Sequence, residues 1–175
     1  VTAAARRLRL FFALWPDDPV RRALGEWSRR IQGATGGRPT RLEAIHQTLA
    51  FLGDCPPARL AELEAAAGRV APRRFEVVLD RARLWGHNRV AWAGASRVPP
   101  ALDALVAELR AAIAAAQFEL DRKPFALHLT LVRNARPGSA LPALEPIRWA
   151  VADFVLVRSI LQPAGSEYVI ERRWT

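Results

Sequence analysis

The chain has 175 residues, 51% of them hydrophobic, enough to bury a core as one domain or as one domain of two similar lobes, and no apolar stretch approaches the length needed to cross a bilayer. The single cysteine, Cys55, excludes an internal disulfide and fits a reducing compartment, and no basic-then-apolar leader opens the sequence, so a cytoplasmic rather than a secreted protein is expected. The net charge of +9 is almost wholly arginine, Lys123 being the one lysine; its planar fork binds phosphate oxygens in pairs, which fits a polyanionic partner such as nucleic acid, although an Arg- and Ala-rich coding bias writes the same charge.

Leu8–Trp15 is an apolar run stopped by Pro16-Asp17-Asp18-Pro19 and reads as a buried strand. Asp18 is placed to cap the next helix, with Pro19 at its first position. Val20, Leu24, Trp27 and Ile31 recur at helical spacing until Gly33–Gly37 end the helix. Ile45–Leu52 is the next strand, Gly53–Pro57 a loop, and a second helix runs through Leu60, Leu63, Ala67 and Val70. Phe75–Trp85 and Val90–Ala93 flank Gly86-His87-Asn88-Arg89, a hairpin signal. A third helix carries Leu102, Leu105, Val106, Leu109 and Ile113 on one stripe. Pro124 precedes a strand from Phe125 to Val132, a Pro/Gly-rich loop spans Ala135–Pro146, and Trp149–Val157 and Tyr168–Ile170 close the chain as strands. Hairpins mixed with long crossovers predict an α+β fold with largely antiparallel sheets.

Two of the chain's 3 histidines sit in the same tetrapeptide, His46-Gln47-Thr48-Leu49 and His128-Leu129-Thr130-Leu131. Each follows a helix and a turn containing a basic residue and proline, Arg38-Pro39 and Lys123-Pro124, the pattern of a diverged duplication. In a strand, residues i and i+2 face one side about 6.5 Å apart, so each imidazole shares a face with a threonine hydroxyl. If two such strands meet across a cleft, one histidine can take a proton from an attacking oxygen while the other donates to a leaving oxygen. Thr48 and Thr130 would donate to non-bridging phosphoryl oxygens, and Arg133 would supply a compensating cation. A lone histidine in a strand is more often a satisfied structural residue; the repetition in a histidine-poor chain is what points to catalysis. His87, in the hairpin turn, is expected to be solvated and structural.

No metal is expected, because each motif offers one imidazole and a poor hydroxyl ligand, with no second His or Cys at ligand spacing. No nucleophile elbow and no phosphate-cradling Gly-rich loop is present, so no cofactor and no ATP dependence are expected.

These residues resemble the two-histidine phosphoesterase superfamily, and within it the RNA 2′,3′-cyclic phosphodiesterase family, also called 2′-5′ RNA ligase. The resemblance rests on Arg9–Leu14, His46 through Gly53, Arg89–Gly94, Pro124-Phe125, His128 through Arg133, and the terminal Tyr168 and Trp174. It implies a single two-lobed domain over residues 1–175, with two mostly antiparallel sheets facing a central cleft and helices packed outside. It also implies His46 as proton donor, His128 as proton acceptor, Thr48 and Thr130 as phosphate ligands and Arg133 as a substrate contact. Phe51 is a candidate for stacking on a base; strict alternation puts it opposite His46, with core packing as the alternative unless the strand bends. The family often has proline just before the second histidine, where this chain has Leu127, and an apolar residue where it has Gln47. Both departures are expected to be tolerated.

The implied activity is metal-independent hydrolysis of an RNA 2′,3′-cyclic phosphate end to a 2′-phosphate, with reversible 2′-5′ ligation as a side of the same chemistry. Action on a small cyclic nucleotide, or binding of RNA or a nucleotide without turnover, are the competing readings. A monomer with RNA as partner and no membrane association is expected.

Overall fold

The computed structural model describes residues 7–163 and 165–175. The first apolar run forms β1 (Leu8–Leu14), which lies between two neighbours, so both its edges are hydrogen-bonded. Leu10, Phe12 and Leu14 point into the main core, while Phe11 and Ala13 pack in a smaller cluster on the opposite face. The chain continues into α1 (Asp18–Thr35), whose N-cap is Asp17, not Asp18: the Asp17 carboxylate accepts from the Val20 N–H at 3.0 Å. Pro19 therefore sits second in the helix, where its missing N–H still costs nothing. Val20, Leu24, Trp27 and Ile31 are buried, as their spacing predicts.

A short strand missed by the sequence pattern, β2 (Arg38–Pro39), comes next, followed by β3 (Gln47–Cys55), which starts later and runs further than expected and buries Cys55 at its end. Then come α2 (Leu60–Ala67), β4 (Phe75–Leu79), β5 (Arg81–Trp85), β6 (Val90–Gly94) and α3 (Pro100–Ala115). The chain closes with β7 (Leu129–Arg133), β8 (Ile147–Val151), β9 (Phe154–Gln162) and β10 (Gly165–Trp174). The expected strand from Phe125 is thus strand only from Leu129, and the expected closing strand around Tyr168 extends over ten residues.

Two four-stranded antiparallel sheets result, β10-β9-β1-β3 and β2-β7-β6-β5. The β5–β6 hairpin closes through Gly86–Arg89 as predicted, with exposed His87 at its tip. Two segments read as single strands are each split. Phe75–Trp85 breaks at Asp80, whose carboxylate accepts from the Ser96 backbone N–H at 2.6 Å and from the Ser96 hydroxyl. Trp149–Val157 breaks at Ala152-Asp153. The two leading pieces, β4 and β8, pair with each other as a ribbon that runs on into one strand of each sheet. α1 packs on β7 and β8; α2 and α3 pack together, and α3 lies on β3. Among the described residues no helix is long and apolar enough to cross a membrane.

Gly37 lets β2 approach β7. Its φ is +86°, and a Cβ there would stand 2.5 Å from the Arg133 carbonyl oxygen and 2.9 Å from the Ala135 nitrogen. Backbone atoms cannot yield as a flexible side chain can. Gly37→Ala is expected to destabilise the fold by about 1–3 kcal/mol, read as a lower midpoint in urea; an unchanged midpoint would mean that this approach is not tight.

Candidate active site

The two motifs fold alike, and in both the strand is irregular at the same place. In β3, Thr48 pairs with Ala13 but Ala50 pairs with Phe12, so Leu49 is an extra residue in the ladder. In β7, Thr130 pairs with Trp92 but Val132 pairs with Ala91, so Leu131 is extra. Each bulge therefore falls three residues after the motif histidine, and both extra leucines are buried in the core. A bulge shifts the alternation by one, so the residue five after each histidine returns to the face of the threonine. That residue is Phe51 in the first motif and Arg133 in the second. The reading of Phe51 from strict alternation is corrected accordingly: it faces the cleft with His46 and Thr48. The bulge in β7 is held from outside, since the Leu131 carbonyl accepts from the Thr40 N–H at 2.7 Å and from the buried Ser28 hydroxyl of α1 at 2.9 Å.

His46, Thr48, Phe51, His128, Thr130 and Arg133 all line one cavity of about 730 Å³ between the two sheets. Every residue singled out from the sequence is therefore gathered in one place. The same walls carry Arg9, Arg38 and Arg41. Among the described residues, Arg9, Arg38 and Arg133 have no carboxylate within ion-pair distance, and Arg41 faces Glu43 at 3.5 Å. Unneutralised guanidinium groups in a cleft make a site for phosphate oxygens. No group of three or more His, Cys, Asp or Glu side chains among the described residues is placed to hold a metal ion.

Both imidazoles are tethered in the same way. His46 Nδ1 lies 2.8 Å from the Ala44 carbonyl oxygen, and His128 Nδ1 lies 3.0 Å from that of Ala126. A carbonyl only accepts, so each Nδ1 carries hydrogen and each neutral ring has its lone pair on Nε2. His46 sits in an aromatic box, stacked at 5.3 Å and 7° on Trp15, with Tyr168 edge-on at 5.1 Å and Phe11 at 4.9 Å. Trp85 and Trp92 frame His128 at 4.9 and 6.3 Å.

Burial in this apolar box pushes His46 down from 6.5 to about 4, against the opposing pull of the Ala44 carbonyl, while the neighbouring His128 and Arg133 charges lower it further. His128 is lowered too, first by burial and then by Arg133. Both rings are thus held neutral near pH 7.

The sequence reading missed the aromatic frame (Trp15, Phe11, Trp85 and Trp92) and the arginines at positions 9, 38 and 41. Arg9 carried a signal: it precedes Phe11 by two on β1, and its guanidinium lies 4.9 Å from the Phe51 ring centroid. Trp85 and Trp92 gave none, because their approach to His128 depends on how β5, β6 and β7 pair.

Known proteins resemble this chain in sequence and fold. The sequence model of the family described as LigT like Phosphoesterase matches residues 14–92. The chain is 32% identical over 168 residues to the RNA 2′,3′-cyclic phosphodiesterase of Escherichia coli, covering 95% of each. It is 34% identical to the RNA 2′,3′-cyclic phosphodiesterase of Thermus thermophilus, covering 96% of this chain and 90% of the relative. The crystal structure of E. coli LigT complexed with 3′-AMP superposes with a TM-score of 0.87 at 31% identity, covering 96% of this chain and 97% of that one. Fold, paired motifs and whole-length likeness agree: this chain belongs to the RNA 2′,3′-cyclic phosphodiesterase family of LigT-like phosphoesterases.

Proposed function

We propose that the protein, working as one two-lobed domain, hydrolyses RNA 2′,3′-cyclic phosphate ends to 2′-phosphates by acid–base catalysis with its two motif histidines and without a metal. The observation that carries this reading is the shared cavity: two identically tethered imidazoles, two threonine hydroxyls and an unpaired Arg133 line one cleft. His128 Nε2 takes a proton from water as the water oxygen attacks phosphorus in line. The bond from phosphorus to the 3′ oxygen breaks, and His46 Nε2 gives that oxygen its proton. Thr48, Thr130 and Arg133 donate to the equatorial oxygens as charge grows on them. Phe51 offers its ring to a base. Replacing water by an RNA 5′-hydroxyl runs the same steps to a 2′-5′ linkage, but water at about 55 M outcompetes dilute RNA ends, so hydrolysis is the net direction.

His46 faces a demand its surroundings do not meet by themselves, because a donor must be protonated and burial holds its pKa at about 4. The bound phosphate resolves this. Its negative charge favours the imidazolium, and so substrate binding itself loads the acid.

His46→Ala and His128→Ala are each expected to lower kcat by roughly 10²–10⁴ on an oligonucleotide with a 2′,3′-cyclic phosphate end, with unchanged circular dichroism and with wild-type activity indifferent to EDTA. Full turnover in either variant would remove the assignment. The active free enzyme holds one proton between the two rings, so kcat/KM is expected to peak between the two lowered pKa values and to decline above pH 6.5. The kcat profile should be centred at higher pH, because the bound phosphate raises both groups; coincident profiles would contradict substrate loading of His46. Finally, Arg9, Arg38, Arg41 and Arg133 line the cleft, so kcat/KM for an oligonucleotide should fall more steeply with salt than for a 2′,3′-cyclic mononucleotide. Equal slopes would favour a small cyclic nucleotide as the substrate.

A further inference from the structure

Gln47 is the most deeply buried polar side chain in the described protein, with no exposed surface, and the sequence reading expected it to be inconsequential. Its amide makes three hydrogen bonds. Oε1 accepts from the His128 backbone N–H at 2.6 Å, and Nε2 donates to the Ala126 carbonyl at 3.0 Å and to the Thr48 carbonyl at 2.8 Å. The chemistry fixes this orientation, since only the NH2 can serve two carbonyls and only the oxygen can take an N–H. The Ala126 carbonyl it holds is the one that orients the His128 ring.

Residues 124–128 belong to no strand, so no ladder fixes the approach to His128. Leu127 is buried, and its N–H finds no acceptor among the described residues. The peptide units on both sides of Leu127 therefore depend on one side chain from the other sheet. That side chain is the residue directly after His46, on the strand that carries Thr48.

We propose that Gln47 is a positioning residue that locks the two catalytic motifs together, setting the ring of His128 relative to His46 across the cleft. This rests on the reading of His128 as proton acceptor. The clamp does by hydrogen bonds what a rigid ring at position 127 would do by covalent restraint, and the two departures from the family pattern, Gln47 and Leu127, lie at the two ends of this one contact. Proline at 127 would fix φ there and forfeit no hydrogen bond.

The test compares Gln47→Leu, Gln47→Leu with Leu127→Pro, and His128→Ala by steady-state kinetics on a cyclic phosphate-ended oligonucleotide. Gln47→Leu is expected to lower kcat about 10- to 100-fold with KM changed less than about 3-fold. Losing the second donor on the Ala126 carbonyl strengthens the bond from His128 Nδ1–H. The alkaline limb of kcat/KM should then move to higher pH, while Arg133, His46, Trp85 and Trp92 still face the ring. Adding Leu127→Pro should recover most of the lost kcat. Wild-type kcat in Gln47→Leu, a loss confined to KM, or no recovery with proline would each overturn the inference while His128→Ala stays inactive; an active His128→Ala would overturn the mechanism and the clamp together. Should Gln47→Leu not fold, Gln47→Glu serves. It keeps the acceptor but loses the donor on ionising, so kcat should gain a second descending limb in addition to the one the wild type shows, and a profile without it overturns the inference.

Discussion

Each motif strand must do two incompatible things within a few residues, namely seal a core with leucines and present a histidine, a threonine and a further residue to a polar cleft. Regular pleating cannot satisfy both, because the residue five after the histidine falls on the wrong face. The extra residue, Leu49 in β3 and Leu131 in β7, resolves the conflict. It buries one more leucine and turns Phe51 and Arg133 toward the cleft. Everything else at the site follows from this: the two bulges make the halves of the cleft equivalent in backbone, while their side chains differ. One half ends in an aromatic ring and the other in a cation.

The same asymmetry governs the proton chemistry. His46 is boxed by Trp15, Phe11 and Tyr168, and His128 is framed by Trp85 and Trp92, so both imidazolium forms are disfavoured. The Arg133 charge adds to this, since it disfavours the charged form of both rings. The buried Gln47 amide, crossing from one motif to the other, gives that arrangement its rigidity.

Much of the fold was legible because its elements follow from local pattern. The stripe Val20, Leu24, Trp27, Ile31 makes α1, and the Gly86–Arg89 turn makes the β5–β6 hairpin. The misreadings came from places where a side chain overrode the pattern. Asp80 bends a continuous apolar-rich run by bonding Ser96, and so β4 leaves the sheet that β5 joins. β2 has only two residues, too few for any periodicity, and exists because Gly37 lets it reach β7. For Phe51, strict alternation leaves stacking and core packing both open, because a bulge leaves no mark in the order of residues.

The sequence by itself determined the chemistry on offer: two histidines and two threonines in repeated contexts, an excess of arginine, and an α+β pattern of helices and antiparallel strands. Those follow from side-chain identity and from spacing along the chain, both of which are local. Only the tertiary structure decided where the groups point and how they behave. The bulges, the aromatic packing that pushes His46 down to about 4 and the Gln47 contact with residues 126–128 all join segments far apart in the chain. Burial, ladder register and hydrogen-bond partners are properties of the assembled neighbours, and they arise only when the two sheets close on one another.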